Sequence, residues 1–284
     1  MVNEKNLLQT DKIIITPDIC IKIPTVREIL ENEILYYNIT YAFTATPFQC
    51  MVQLDDIGID YTTIDEWQLF IENFLSYSRS ITELNQIIPT IKQQIEKTMD
   101  KKILFKKEQE LNRYQQLLDN FNISLGYIFD NLQIEGFQLW HDNAANEEVL
   151  FNSNTGVKID RQTYLLIAEF IRKINLYKYV KYKPGNENAK KYLIEKERRR
   201  LKRNKNHNEP YLEKFIVSLV NTSEFPYNYK DCMDLSIYQF NQSLKQIQHK
   251  IDFDNTMIGV YAGTISVKDM ENKDSLSWIN MEQN

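Results

Sequence analysis

Apolar residues recur along most of this chain every three or four positions, the spacing of a helix with one buried face, and fall to a period of two in only two places. The first place is Lys12 to Pro24, where Ile19, Ile21 and Ile23 alternate with polar neighbours beyond a Thr16-Pro17-Asp18 turn; two short strands are predicted. The second is Gly136 to Asp142 with Glu148 to Asn152, flanking the turn-forming residues 143–147 as a hairpin would. Elsewhere the helices have recognisable starts. Thr25 and Glu28 have the spacing of a capping box and predict a helix to about Ala45. Thr46-Pro47 opens a second helix, closed by Gly58 as a left-handed cap. Thr63 and Glu66 repeat the box spacing ahead of Trp67, Phe70, Phe74 and Leu75.

From Thr90 to Asp119, apolar residues from Ile91 to Leu118 keep a helical interval and predict one long amphipathic helix packed along its own domain. Its heptad is too irregular for an intermolecular coiled coil. Asp160 caps a helix through Tyr164, Ile167, Phe170, Ile171 and Ile174, and Lys183 to Asn186 form a break. A basic helix follows over Glu187 to Asn204, then a polar loop, Lys205 to Glu209. Further helices are expected at Pro210 to Asn221, Asp234 to His249 and Met257 to Tyr261, with Leu276 and Trp278 anchoring a polar ending. The expected fold is mainly α, a multi-helix protein with a small β-hairpin element. Three regions are expected: 1–122, helical with a short β-hairpin at its start; 123–182, a β-hairpin plus a helix; and 183–284, the basic helix and a C-terminal helical region.

Composition then removes several kinds of chemistry. Seven glycines in 284 residues, scattered except for Gly259 and Gly263, cannot build the clustered turns that cradle phosphates, so no nucleotide cofactor is expected. His141, His207 and His249 are far apart, and none has a ligand-type neighbour four residues on, so no metal set is expected from them. No Gly-x-Ser-x-Gly elbow exists, and Cys50 suits a buried helix position better than a nucleophile's. Asp55, Asp56, Asp60, Asp65 and Glu66 cluster around the Gly58 turn. A divalent cation could use such oxygens, but acidic residues beside helix N-termini account for them more simply. No catalytic site is expected, and the protein is taken to be non-enzymatic. Three widely spaced cysteines suit a reducing compartment. No secretion signal or membrane-spanning run is seen, which predicts a protein made in the cytoplasm without a membrane partner.

The net charge of −5 hides an uneven split. Between Arg172 and Lys205 stand 14 Lys or Arg against three acids, so the rest of the chain is strongly acidic. Within that segment Lys190, Lys191, Arg198, Arg199, Arg200, Lys202, Arg203 and Lys205 are the candidate binding residues. Such a helix can neutralise nucleic-acid phosphates. It can equally dock on an acidic protein, a second copy of the chain included, or stay solvated through pairs with its own glutamates. Two aromatic groups, Tyr36 to Phe48 and Tyr177 to Tyr182, suit either a helical core or an interface.

Three stretches resemble tail-region proteins of bacteriophages from low-GC Gram-positive hosts: Ile23 to Ile29 with Met51 to Tyr61; Lys183 to Lys205; and Leu219 to Phe225 through Tyr238 to Asn241 to Gly259 to Ile265. The first is similar to the opening of small helical proteins encoded near the tape-measure protein and regarded as tail assembly chaperones. The resemblance implies phage morphogenesis in the host cytoplasm, with other tail or structural proteins as partners and no catalytic residues to carry over. It leaves three roles open: an assembly factor for the tape-measure or another tail protein, a structural component of the tail or head–tail connection, and a nucleic-acid-binding regulator acting through 190–205.

Overall fold

The computed structural model describes residues 7–203, 210–270 and 274–279. It is mainly α, with ten α-helices among the described residues and two small three-stranded antiparallel sheets. Strands β1 (Lys12–Thr16) and β2 (Ile19–Lys22) pair around the expected turn, and β3 (Phe129–Asp130) joins the free edge of β2. The second sheet is the expected hairpin, β4 (Phe137–Asp142) and β5 (Glu147–Asn152), extended by β6 (Lys158–Ile159). Strands of two residues, such as β3 and β6, are too short to carry a period, so each sheet is one strand larger than the sequence pattern indicates.

The Thr25–Glu28 capping box forms, but the helix it starts divides. Helix α1 (Val26–Glu31) stops at Asn32, and α2 (Glu33–Thr44) begins anew. The restart turns the Glu33 carboxylate inward, where it accepts the amides of Tyr211 (2.8 Å) and Leu212 (3.0 Å) at the head of a distant helix. Helix α3 (Met51–Asp56) begins later than Thr46-Pro47 suggests. Thr46 is held by the Gln49 side chain, and its hydroxyl donates to the Val180 carbonyl at 2.6 Å, so residues 47–50 make turns instead. Gly58 does take the left-handed conformation, at φ +76°.

Helix α4 (Glu66–Glu96) is capped by Asp65 with Gln68, not by Thr63 with Glu66, because Glu66 is drawn into an ion pair. The single helix expected over Thr90–Asp119 is two. Helix α4 runs on past the exposed Pro89, which forgoes one helix bond to the Asn85 carbonyl, and turns at 97–100. Helix α5 (Lys101–Gly126), capped by Asp100, then returns along it. Ile81, Leu84, Ile88 and Ile91 are buried in the seam, so the apolar period served an intramolecular helical hairpin.

Helix α6 (Arg161–Asn175) is capped by Asp160 as predicted, and α7 (Glu187–Arg203) is the basic helix. The polar loop from Lys205 and the residue His207 lie outside the described residues. Helix α8 (Leu212–Val220) fits its expected span, while α9 (Tyr229–Asp234) falls where a connector was expected. Helix α10 (Ile237–Tyr261) merges the two final helices. Leu276 lies in a short 3-10 turn, Asp274–Leu276, packed on α10, and the nearby carbonyls of Ser277 and Trp278 bond His249 and Gln246.

One apolar core takes residues from all three sequence regions, including Phe43, Phe74, Leu150, Tyr164, Ile216 and Phe240. Its centre is aromatic: Phe43 lies 5.2 Å from Phe70 and 6.0 Å from both Phe74 and Phe129, ring centre to ring centre. The starts of α1 and α10, far apart in sequence, are tied by backbone bonds, Val26 N–H to Leu235 O and Ile237 N–H to Pro24 O, each 2.9 Å. At the core's edge the Tyr36 hydroxyl donates to Asn175 Oδ1 at 2.7 Å, with both residues buried. Replacing Tyr36 with Phe leaves that amide oxygen dry and unpaired, so we predict a loss of about 1–2 kcal/mol. Urea unfolding should show a lower midpoint with an unchanged slope; an unchanged midpoint refutes the assignment.

Candidate protein-docking interface

Helix α7 sorts its residues by the period of a helix. Lys190, Ile194 and Arg198 stand four apart and form one stripe, which faces α3 and the Gly58 turn. Ile194 is buried in a small second core with Met51, Val52, Leu54, Tyr61 and Leu69. On either side of it the stripe's cations meet the acidic cluster. Arg198 donates to Asp55 (2.8 Å) and Asp56 (2.6 Å), and Lys190 to Asp60 (2.8 Å) and to Glu187 (2.8 Å).

The chain leading into α7 does the same. Arg172 pairs with Glu66 at 3.4 Å and lies over the Tyr179 ring, Tyr179 bonds Glu66, and Lys181 reaches it at 4.0 Å. Asp65, besides capping α4, is paired with Arg161. Each carboxylate of the cluster is thus turned toward a cation of the same chain, and the described residues contain no group of His, Cys, Asp and Glu suited to hold a metal. The hydrogen bond from Lys190, helped by those from Thr62, pulls the Asp60 carboxyl down to about 2, and the same contact raises Lys190.

Magnitudes decide what holds the arm. The Arg198 pairs are between partly exposed groups, and such pairs contribute roughly 0–1 kcal/mol. Full burial of an Ile side chain is worth about 2 kcal/mol. Ile194 holds the helix down, and the ion pairs set its register and rotation.

The opposite side of α7 remains uncommitted. Lys196, Arg199 and Arg203 on the side away from Ile194, and Lys191 and Lys202 on its flank, are exposed and make no ion pair among the described residues, whereas Arg200 is held by Glu197 through two bonds of 2.7 and 2.6 Å. That contact lowers Glu197 and raises Arg200. Lys205 lies outside the described residues. Between α7 and the end of α2 runs an open groove of about 740 Å³, with Tyr41, Phe48, Tyr192 and Leu201 as apolar surface and Lys196, Arg199 and Arg203 as cationic surface. Cys50 lies beside it with its thiol near the Tyr41 hydroxyl (3.9 Å), and burial pushes that thiol up, away from a reactive thiolate.

Of the eight residues marked by the sequence, Lys190 and Arg198 therefore face inward, Arg200 is tied to its own helix, and Lys191, Arg199, Lys202 and Arg203 face out. Sequence reasoning did not join Tyr41 and Phe48 to this surface. Their membership in an aromatic group was visible, but which helix would lie across them was not.

Two measurements test this account. Ile194→Ala should raise the opening of α7, followed by amide hydrogen exchange, by about thirtyfold, and Arg198→Ala by at most about fivefold. The reverse order would mean that the ion pairs hold the arm. Because Asp60 binds its proton less tightly when docked than when free, its support of the arm is complete above about pH 4 and fades as pH falls through 2. An NMR titration of Asp60 that finds an ordinary carboxyl midpoint near 3.8 would break the Lys190 contact.

No helix among the described residues is long and apolar enough to cross a membrane. No curated protein and no solved structure matches the chain. Residues 202–282, from the last turn of α7 through α8, α9 and α10, match the family model described as YomV second domain. The chain is similar there to a phage-derived domain, consistent with a phage protein.

Proposed function

We propose that this chain is a non-enzymatic phage morphogenesis protein, an assembly factor that binds the tape-measure chain or another tail protein in the host cytoplasm and keeps it soluble until the tail polymerises. One observation carries this reading: α7 is fixed to the scaffold by its inner stripe, so it presents a rigid groove with an apolar floor and cationic walls. A groove of that kind takes the apolar side of an acidic helix, its aromatic residues giving contact area at little entropic cost. The similarity of residues 202–282 to a phage-derived domain supplies the biological setting.

The same geometry weighs against the arm as a nucleic-acid reader. Lys190 and Arg198 are spent on internal carboxylates and Arg200 on Glu197, which leaves a short row of cations beside an apolar surface rather than a continuous track for phosphates. A structural place in the tail or head–tail connection stays as the second role that such a surface can serve.

Co-expression with a tape-measure protein should yield a soluble complex, and Arg199→Ala with Arg203→Ala should weaken it about tenfold or more, in line with two lost interface cations. The protein should be missing from purified particles by mass spectrometry. A fixed copy number in virions would replace the assembly factor by the structural component.

A further inference from the structure

A second groove opens at the other end of α2. It has a volume of about 730 Å³ and lies between the α1–α2 junction and helices α8 and α9. Its apolar surface includes Leu30, Ile34, Val217 and Met233, with Ile34 42% and Val217 45% exposed. Its charged residues are Glu31, Glu33 and Glu213, and among the described residues no Lys or Arg lines it. Glu33 is 5% exposed; one oxygen caps α8, and the other, Oε2, is buried without a hydrogen-bond partner among the described residues. A dry, unpaired carboxylate oxygen is costly unless a donor reaches it. The groove thus has the sign and the apolar lining that suit a basic amphipathic helix.

The chain carries such a helix. The side of α7 away from Ile194 combines Tyr192, 62% exposed, with Lys196, Arg199 and Arg203, three exposed cations that make no ion pair among the described residues. We propose that a second copy of this chain is the occupant: the outer face of α7 in one copy docks in the acidic groove between α2, α8 and α9 of the next. The two surfaces sit at opposite ends of α2, and Ile34 and Tyr41 are about 10 Å apart along its axis. A contact between two different surfaces is heterologous, so each copy keeps one free end of each sign and association proceeds head to tail. This deepens the reading of α7 as a docking face and needs no particular tail partner; a tail protein using the same face competes with the neighbouring copy.

Sedimentation of the full-length chain alone provides the test. Association should grow with concentration at about 0.05 M salt and weaken at least tenfold at about 0.5 M, where exposed charges are screened. Two variants separate the ends: Lys196→Ala/Arg199→Ala/Arg203→Ala blunts the arm, and Glu31→Gln/Glu213→Gln blunts the groove while leaving Glu33 to cap α8. Circular dichroism and the urea midpoint confirm that each is folded. Each variant alone should be monomeric, and their mixture should form a one-to-one complex and nothing larger, since one intact arm then meets one intact groove. A monomeric wild type at low salt overturns the proposal, as does a variant that associates as before or a mixture that stays monomeric. Failure to capture a tape-measure protein, with this pattern intact, would sink the tail-partner reading alone.

Discussion

Helix α2 is buried along one side by Tyr36, Ile39 and Phe43, each 1% exposed or less, and that burial fixes where its other side points. Phe43 is wedged among the rings of Phe70, Phe74, Tyr77 and Phe129, so α2 cannot rotate without opening the centre of the core. Ile34 and Tyr41 on the opposite side are held in the open as a result, one in the acidic groove and one in the basic groove. The core and the two candidate docking surfaces are consequences of one packed helix.

Part of the chain's uneven charge is resolved within the molecule. Arg172, Lys181, Lys190 and Arg198 are laid along Glu66, Asp60 and the Asp55–Asp56 pair, in reverse sequence order, as the chain from α6 to α7 passes over the loops around α3. Exposed pairs of this kind add little to stability. Their effect is on specificity: with Ile194 as the apolar pin, they choose which face of a cation-covered helix turns inward. Cations that find no carboxylate at home are the ones available to another molecule.

The C-terminal region is held to the rest by a mixture of apolar packing and polar capping. Leu212, Ile216, Ile237 and Phe240 enter the common core, Glu33 caps α8 from across the fold, and the capping residues Thr25 of α1 and Ser236 of α10 stand face to face. A region similar to a phage-derived domain is thereby continuous with the remainder of the molecule, and its groove-lining residues Pro210, Glu213, Ile216 and Val217 share a surface with α2.

By itself the sequence determined the local elements whose causes are local. The Ile19–Ile23 alternation, the Thr25–Glu28 box, the Asp160 cap, the left-handed Gly58 and the break before Glu187 each act over a few residues and appear where they were expected. The basic helix and the acidic cluster were legible too. What joined them was not, because their pairing depends on residues about 140 positions apart. Tertiary contacts also overrode local signals: Glu66 left a capping box for Arg172, Glu33 broke a helix to cap another, and the apolar period at 90–119 served a turn and a returning helix. Capping is worth about 1 kcal/mol, and a buried contact across the fold outweighs it. For that reason the helices could be read from the chain, while the two grooves of opposite sign exist only once α2, α7 and α8 are packed.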